Sequence, residues 1–229
     1  MDIYSKEYDL AFIGDTESDL YVFNEIYGDG DAYQRDRLLK YIEGGEVIEV
    51  GGHKGFFSAL AGKFAKKVVA FEPNELNFEY LMRNLEINKM RHVMPVRKAV
   101  AMDDEPRLFT VSNKTDARHS LFATDFNGIG EQKQVVCTTI INCILDYSIR
   151  NISLLKLDCE GGEYEILFNL DSTIFDHIPR VVCEIHEAPE IPHKLPQLVE
   201  HMNKMGFSSE IYSARTMETM NLYMAWFSK

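Results

Sequence analysis

The sequence predicts an α/β fold, a mostly parallel sheet covered by helices on both faces and finished by an antiparallel hairpin. Three observations predict it. Short apolar runs recur at VIEV (47–50), VVAF (68–71), VMPV (93–96), LLKL (154–157) and VVCEI (181–185), and strands buried on both faces read this way. Segments with a helical apolar period separate several of these runs. The last two strand-like runs, FSSEIYS (207–213) and NLYMAWF (221–227), are joined by a polar stretch too short for a helix, so they read as a hairpin.

The whole chain, 1–229, reads as one domain: an acidic N-terminal extension or cap over 1–44, then a ligand-binding core over 45–229 with an insertion near 107–139. After the first strand, Phe56, Leu60 and Phe64 fall one helical turn apart and predict a helix over 56–65. After the second, Phe78, Leu81 and Leu85 predict a helix over 75–88, with Asn74 placed to cap it. The 107–139 stretch holds two strand-like ends, RLFTV and VVCTT, around a polar segment with Gly128 and Gly130, and reads as a loop insertion near the ligand. Leu195, Leu198, Met202 and Met205 predict a helix over 194–205 that stops at Gly206.

Charge narrows the partners. The net charge is −12, and residues 1–40 hold ten of the acidic side chains against four basic ones. Phosphate contacts dominate nucleic-acid affinity, so DNA and long RNA are disfavoured as partners. Residues 81–118 are locally basic, which a solvated surface explains. The four cysteines, Cys137, Cys143, Cys159 and Cys183, show no CxxC or zinc spacing and sit in apolar runs. They read as core residues of a reduced, cytoplasmic protein. The first 20 residues carry six acidic side chains and no apolar stretch, unlike a secretory leader, and no run has the length of a membrane span.

The stretch VIEVGGHKGFFS (47–58) runs from a strand through glycines into a helix, the architecture of a nucleotide-binding turn. A phosphate-binding P-loop needs GxxxxGK and a hydroxyl residue, which this stretch lacks. A dinucleotide fingerprint ending at Gly55 needs glycine at 50, where the chain has Val50. Glu49, Gly51 and Gly55 instead fit the acidic-x-Gly-x-x-x-Gly turn of S-adenosyl-L-methionine-dependent methyltransferases, with Gly52 and His53 inside it. The chemistry suits that ligand: it carries a sulfonium and an ammonium but no phosphate, so a carboxylate attracts it. VVAFEPN then ends the second strand in Glu72, followed by Pro73, 17 residues beyond Gly55. A carboxylate at this strand tip accepts hydrogen bonds from ribose hydroxyls.

VIEVGGHKGFFS, VVAFEPNELNFEYLMRNLEIN, KAVAMDDE and LLKLDCEGGEYEIL together resemble the FkbM-type methyltransferases. The last block carries most of the resemblance. That family shows Asp-x-Glu-Gly-x-Glu there, and this chain has Asp158, Glu160, Gly161 and Glu163. SDLYVFNEIYGDGDAY (18–33), HSLF (119–122) and VVCEIHE (181–187) are similar to further family segments. The chain departs from the family at Gly52-His53-Lys54, where many members have Ala-Asn and a small or apolar residue. The resemblance implies a Rossmann-like class I methyltransferase fold with a seven-stranded sheet. It also implies methyl transfer from S-adenosyl-L-methionine, commonly to an oxygen of a small molecule or sugar.

The candidate catalytic residues are Asp158, Glu160 and His186. LLKLD would be the fourth strand, whose carboxyl end borders the ligand crevice. Asp158 there reads as base or orienter for an acceptor, as a ligand to the donor or, paired with Glu160, as a magnesium ligand; a helix cap is the plainer alternative. No metal is assigned from the sequence. His186 is the best-placed histidine for a base, with Glu184 on the same face by period two; His119 and His53 are weaker candidates. Val100 follows the third strand and packs on adenine or in the core. Tyr21 and Tyr33 line an acceptor pocket or the core. Methylation of nitrogen or RNA is a rival reading, against which stand the acidic charge and the lack of an NPPY-like motif. A catalytically silent binding module is another.

Overall fold

The computed structural model describes residues 1–112, 119–121, 130–216 and 220–229. Its centre is a seven-stranded sheet: β1 (Glu46–Val50), β2 (Lys67–Phe71), β3 (Val93–Val96), β4 (Ile152–Leu157), β5 (Arg180–Glu187), β6 (Ser208–Thr216) and β7 (Asn221–Ser228). The strands lie in the order β6-β7-β5-β4-β1-β2-β3. β1 to β5 pair in parallel, and β7 runs antiparallel to both β5 and β6. Each strand run expected from the sequence is present, as is the closing hairpin. Val50 stands beside both Phe71 and Leu157, and Leu157 beside Cys183, so the carboxyl ends of β1, β2 and β4 share one edge and β5 runs four residues past it. The chain moves outward from β1 to β3 and then returns to β4 on the other side of β1. The crevice between β1 and β4 is therefore the switch point at which α/β sheets bind ligands.

Eight helices cover the sheet among the described residues: α1 (Glu17–Tyr27), α2 (Arg35–Ile42), α3 (Phe56–Phe64), α4 (Glu75–Ile87), α5 (Ile140–Asp146), α6 (Glu163–Asn169), α7 (Ser172–Phe175) and α8 (Leu195–Lys204). Alternation along the strands makes two cores. Ile48, Val69, Leu155 and Val181 face α5 to α8 in one. Val47, Val68, Leu154 and Val182 face α3, α4 and the N-terminal segment in the other. The acidic first 44 residues are thus also a core element: Phe12, Ile26, Tyr27, Leu38 and Ile42 are buried against the sheet's helices. Within that segment Asp2–Ser5 and Leu10–Ile13 form an antiparallel ribbon. Asn84 and Asn88, one turn apart on α4, clamp its edge. Their carboxamides accept from the Ile13 and Ala11 amides at 2.8 and 2.9 Å and donate back to the same residues' carbonyls.

Asn74 caps α4 as expected, accepting from the Asn77 amide at 3.0 Å. The 107–139 insertion begins and ends as a ribbon, Arg107–Val111 against Glu131–Val135, and Cys137–Thr138 then pairs with Ala99–Val100. Phe122 and most of the polar 112–134 stretch lie outside the described residues. No helix among the described residues is long and apolar enough to cross a membrane.

Candidate functional site

The site grows from the end of β1. Gly51 adopts φ 83°, and a Cβ there would stand 1.7 Å from the Asp158 carbonyl oxygen. Only glycine lets the β1 turn pass this close to the end of β4. The turn closes with the Gly51 and Gly52 amides donating to the Phe71 carbonyl at 3.1 and 2.8 Å. Gly55, at φ 86°, starts α3 behind the turn. Lys54 turns away from the crevice. Its ammonium, fully buried, meets Asp15 at 2.5 Å and Asp19 at 2.9 Å, which ties the turn to the N-terminal segment.

Glu72 ends β2 and is buried. One carboxylate oxygen accepts from the His53 amide and the other from the Asn74 amide, both at 2.8 Å. Burial pushes its carboxyl up to about 8, against the pull of those two donors. Glu49 is fully buried; Ser58 Oγ donates to it at 2.5 Å and Lys156 Nζ lies 3.9 Å away. Burial pushes Glu49 up to about 7, with Lys156 opposing.

Lys156 sits beside Glu49 across the β1–β4 pairing. Its ammonium donates to the Gly51 carbonyl at 2.8 Å and lies 3.3 Å from Asp158 Oδ2. Burial works to lower its pKa, but Asp158 and Glu49 raise it above the ordinary lysine value. Asp158 Oδ2 also accepts from the Tyr33 hydroxyl at 3.0 Å. Burial would raise Asp158, yet Lys156 and His186 hold it below the ordinary carboxylate value.

The block after β4 folds around Glu163. Its carboxylate accepts from the Cys159 amide at 2.8 Å and the Gly161 amide at 3.0 Å, closing the turn. The same group meets His186 Nδ1 at 3.1 Å, while His186 Nε2 faces Glu160 Oε2 at 3.4 Å. Burial works to deprotonate His186, but Glu160 and Glu163 outweigh it and hold the proton well above the usual histidine range. Glu184, half-buried one strand position pair away, is pushed up to about 8 by burial and by the negative charge of Asp158, with His186 opposing.

These groups surround one cavity of about 530 Å³. Glu49, Gly51, Gly52, His53, Glu72, Pro73 and Val100 line it on the β1–β2 side, and Asp158, Glu160 and His186 on the β4–β5 side. Of the sequence-predicted site residues, Gly55 alone is not in the lining. Tyr21, Tyr33 and His119 do face the cavity. Sequence reasoning missed Lys156 as a site residue and gave Glu184 no role. Both signals were present: a charged side chain inside an otherwise apolar strand run is the informative exception to burial patterns.

A sheet in this order, with an acidic glycine turn after β1 and a carboxylate ending β2, is the class I methyltransferase fold. The model of the methyltransferase FkbM domain matches residues 49–209, and the chain belongs to that family. A curated relative, Methyltransferase 1 of Beauveria bassiana (strain ARSEF 2860), is 22% identical over 161 residues; the match spans 62% of this chain and 65% of that protein, just under two thirds of its length. Among solved structures, methyltransferase FkbM from Methylobacillus flagellatus KT aligns with a TM-score of 0.57 at 14% identity, over 85% of this chain and 46% of that one. The precorrin 8W decarboxylase from Methanobacterium thermoautotrophicum aligns at 0.50 and 13% identity, over 95% and 94%. At such identities the likeness is one of fold.

Proposed function

We propose that this chain is an S-adenosyl-L-methionine-dependent methyltransferase that methylates a hydroxyl of a small molecule or carbohydrate. The observation that carries this reading is convergence. Glu49, the glycine turn and Glu72 meet Asp158 in one cavity at the β1–β4 switch point. The donor lies along the β1–β2 side. Glu72 takes its ribose hydroxyls, Val100 and Pro73 flank the adenine, and the carboxylate-rich turn suits its cationic end. A volume of about 530 Å³ falls within the range of cofactor-sized pockets.

The acceptor enters at the β4–β5 side, between Tyr21, Tyr33 and Asp158. Methyl transfer from a sulfonium is an in-line displacement, for which alignment and exclusion of water do most of the work. Three groups divide the remaining task. Asp158, held ionised by Lys156, orients the hydroxyl. In the ion-free protein His186, held protonated between Glu160 and Glu163, positions those two carboxylates. Glu184 has the carboxyl whose pKa, about 8, best matches proton removal near neutrality. The excess of 36 acidic over 24 basic residues favours a small acceptor over nucleic acid. Four free cysteines favour the cytoplasm.

Calorimetric titration with S-adenosylhomocysteine tests the donor reading. Micromolar binding is expected for the wild type, weakened about tenfold or more in Glu72→Gln, which replaces one acceptor oxygen with an NH₂ donor. Absence of binding to the folded wild type refutes the reading.

A further inference from the structure

We propose that Asp158, Glu160 and His186 form a divalent-cation site at the acceptor end of the cavity, fitted to Mn²⁺ or Mg²⁺. Each residue offers one ligand atom, and the three atoms lie within 4.8 Å of one another. Six-coordinate cations of this kind hold neighbouring ligands about 3 Å apart, given bonds of about 2.1 Å. Small side-chain rotations therefore close the triad around an ion. Two carboxylates and an imidazole, with open positions toward the cavity, suit a hard cation that keeps water or takes a substrate oxygen.

The surroundings are those of a ligand set held in place. Glu163 engages His186 Nδ1 at 3.1 Å and is itself fixed by the Cys159 and Gly161 amides. That contact turns Nε2 toward Glu160, the carboxylate–histidine arrangement that orients metal-binding imidazoles. Lys156 and Tyr33 both contact Asp158 through Oδ2, so the cation takes Oδ1.

The role of the ion rests on the proposed methyl transfer; its binding does not. An acceptor hydroxyl bound to the cation gives its proton to Glu184. The oxygen pair forms the new C–O bond, and the S–CH₃ pair leaves on sulfur as a neutral thioether.

Chelator-stripped protein titrated with MnCl₂ and followed by electron paramagnetic resonance tests the site without turnover. One bound Mn²⁺ per chain is expected, weakened about tenfold or more in Asp158→Asn and in Glu160→Gln and unchanged in Glu72→Gln. No binding up to millimolar Mn²⁺, or equal binding by the triad variants, overturns the site. Calorimetry with S-adenosylhomocysteine on the same preparations separates the two ideas. S-adenosylhomocysteine binding with no Mn²⁺ binding defeats the cation site alone, and Mn²⁺ binding with no S-adenosylhomocysteine binding supports the site while defeating the donor reading.

Discussion

Replacing Lys156 with methionine keeps the length of the apolar stem and removes its ammonium. In the wild type that ammonium, 3% exposed, donates to the Gly51 carbonyl at 2.8 Å and lies 3.3 Å from Asp158 and 3.9 Å from the fully buried Glu49. Removing one partner of a buried ionic group costs about 3–5 kcal/mol, because the other charge is left unbalanced. At about 2–4 °C per kcal/mol for a chain of this size, Tm should fall by roughly 6–20 °C at neutral pH. The loss should shrink under mildly acidic conditions, where Glu49, already up at about 7 with the lysine beside it, is protonated anyway. Adding Glu49→Gln should restore part of the stability, with a coupling of about 0.5–3 kcal/mol. Thermal unfolding of the single and double variants measures the Tm change, and urea unfolding measures the coupling. A Tm change under about 2 °C in Lys156→Met, or strictly additive effects, would refute the argument that this ammonium balances the two carboxylates.

Glu184→Gln should lower kcat by about 10²–10⁴ while leaving S-adenosylhomocysteine affinity within about twofold. In the wild type the rate should rise with pH until Glu184 is ionised, near 8; a flat wild-type profile would remove Glu184 from the proton path. The ligand-free protein should also lose stability between about pH 5 and pH 8. Glu49, Glu72 and Glu184 keep protons in the folded chain up to about 7, 8 and 8, whereas the unfolded chain releases them in the ordinary carboxylate range. The folded state therefore binds more protons across that window, and His186, raised as well, acts with the same sign. Asp158 and Glu46 are lowered, so they act only in acid. Stability that increases from pH 5 to 8 in urea titrations would contradict these assignments.

The sheet was legible because four of its strands, β1, β2, β4 and β5, are buried on both faces, and such strands announce themselves as apolar runs. The terminal hairpin was legible from length alone. Glu49, Glu72, Asp158, Glu160 and His186 could be marked because each lies at or just beyond the carboxyl end of a strand, and such ends converge at one edge. The N-terminal segment was harder. Its acidic side chains dominate its composition, and the apolar residues that make it part of the core are scattered over a ribbon and two short helices. The protonation of His186 was beyond sequence reasoning for a different reason. It depends on Glu163, 23 residues away, folding back under the histidine.

Lys54 has a consequence for modularity. The family model begins at Glu49, which suggests a piece that could be lifted out. Yet the ammonium two residues beyond Gly52 finds counter-charges in Asp15 and Asp19, and Asn84 holds both the Lys54 and the Ile13 carbonyls. A chain cut at the family boundary would strand a cation inside apolar packing and bare the sheet face that Phe12 and Leu38 cover. The glycine turn and the leading segment are one structural unit. Swapping that segment between relatives to change the acceptor would have to carry the partner of Lys54 with it.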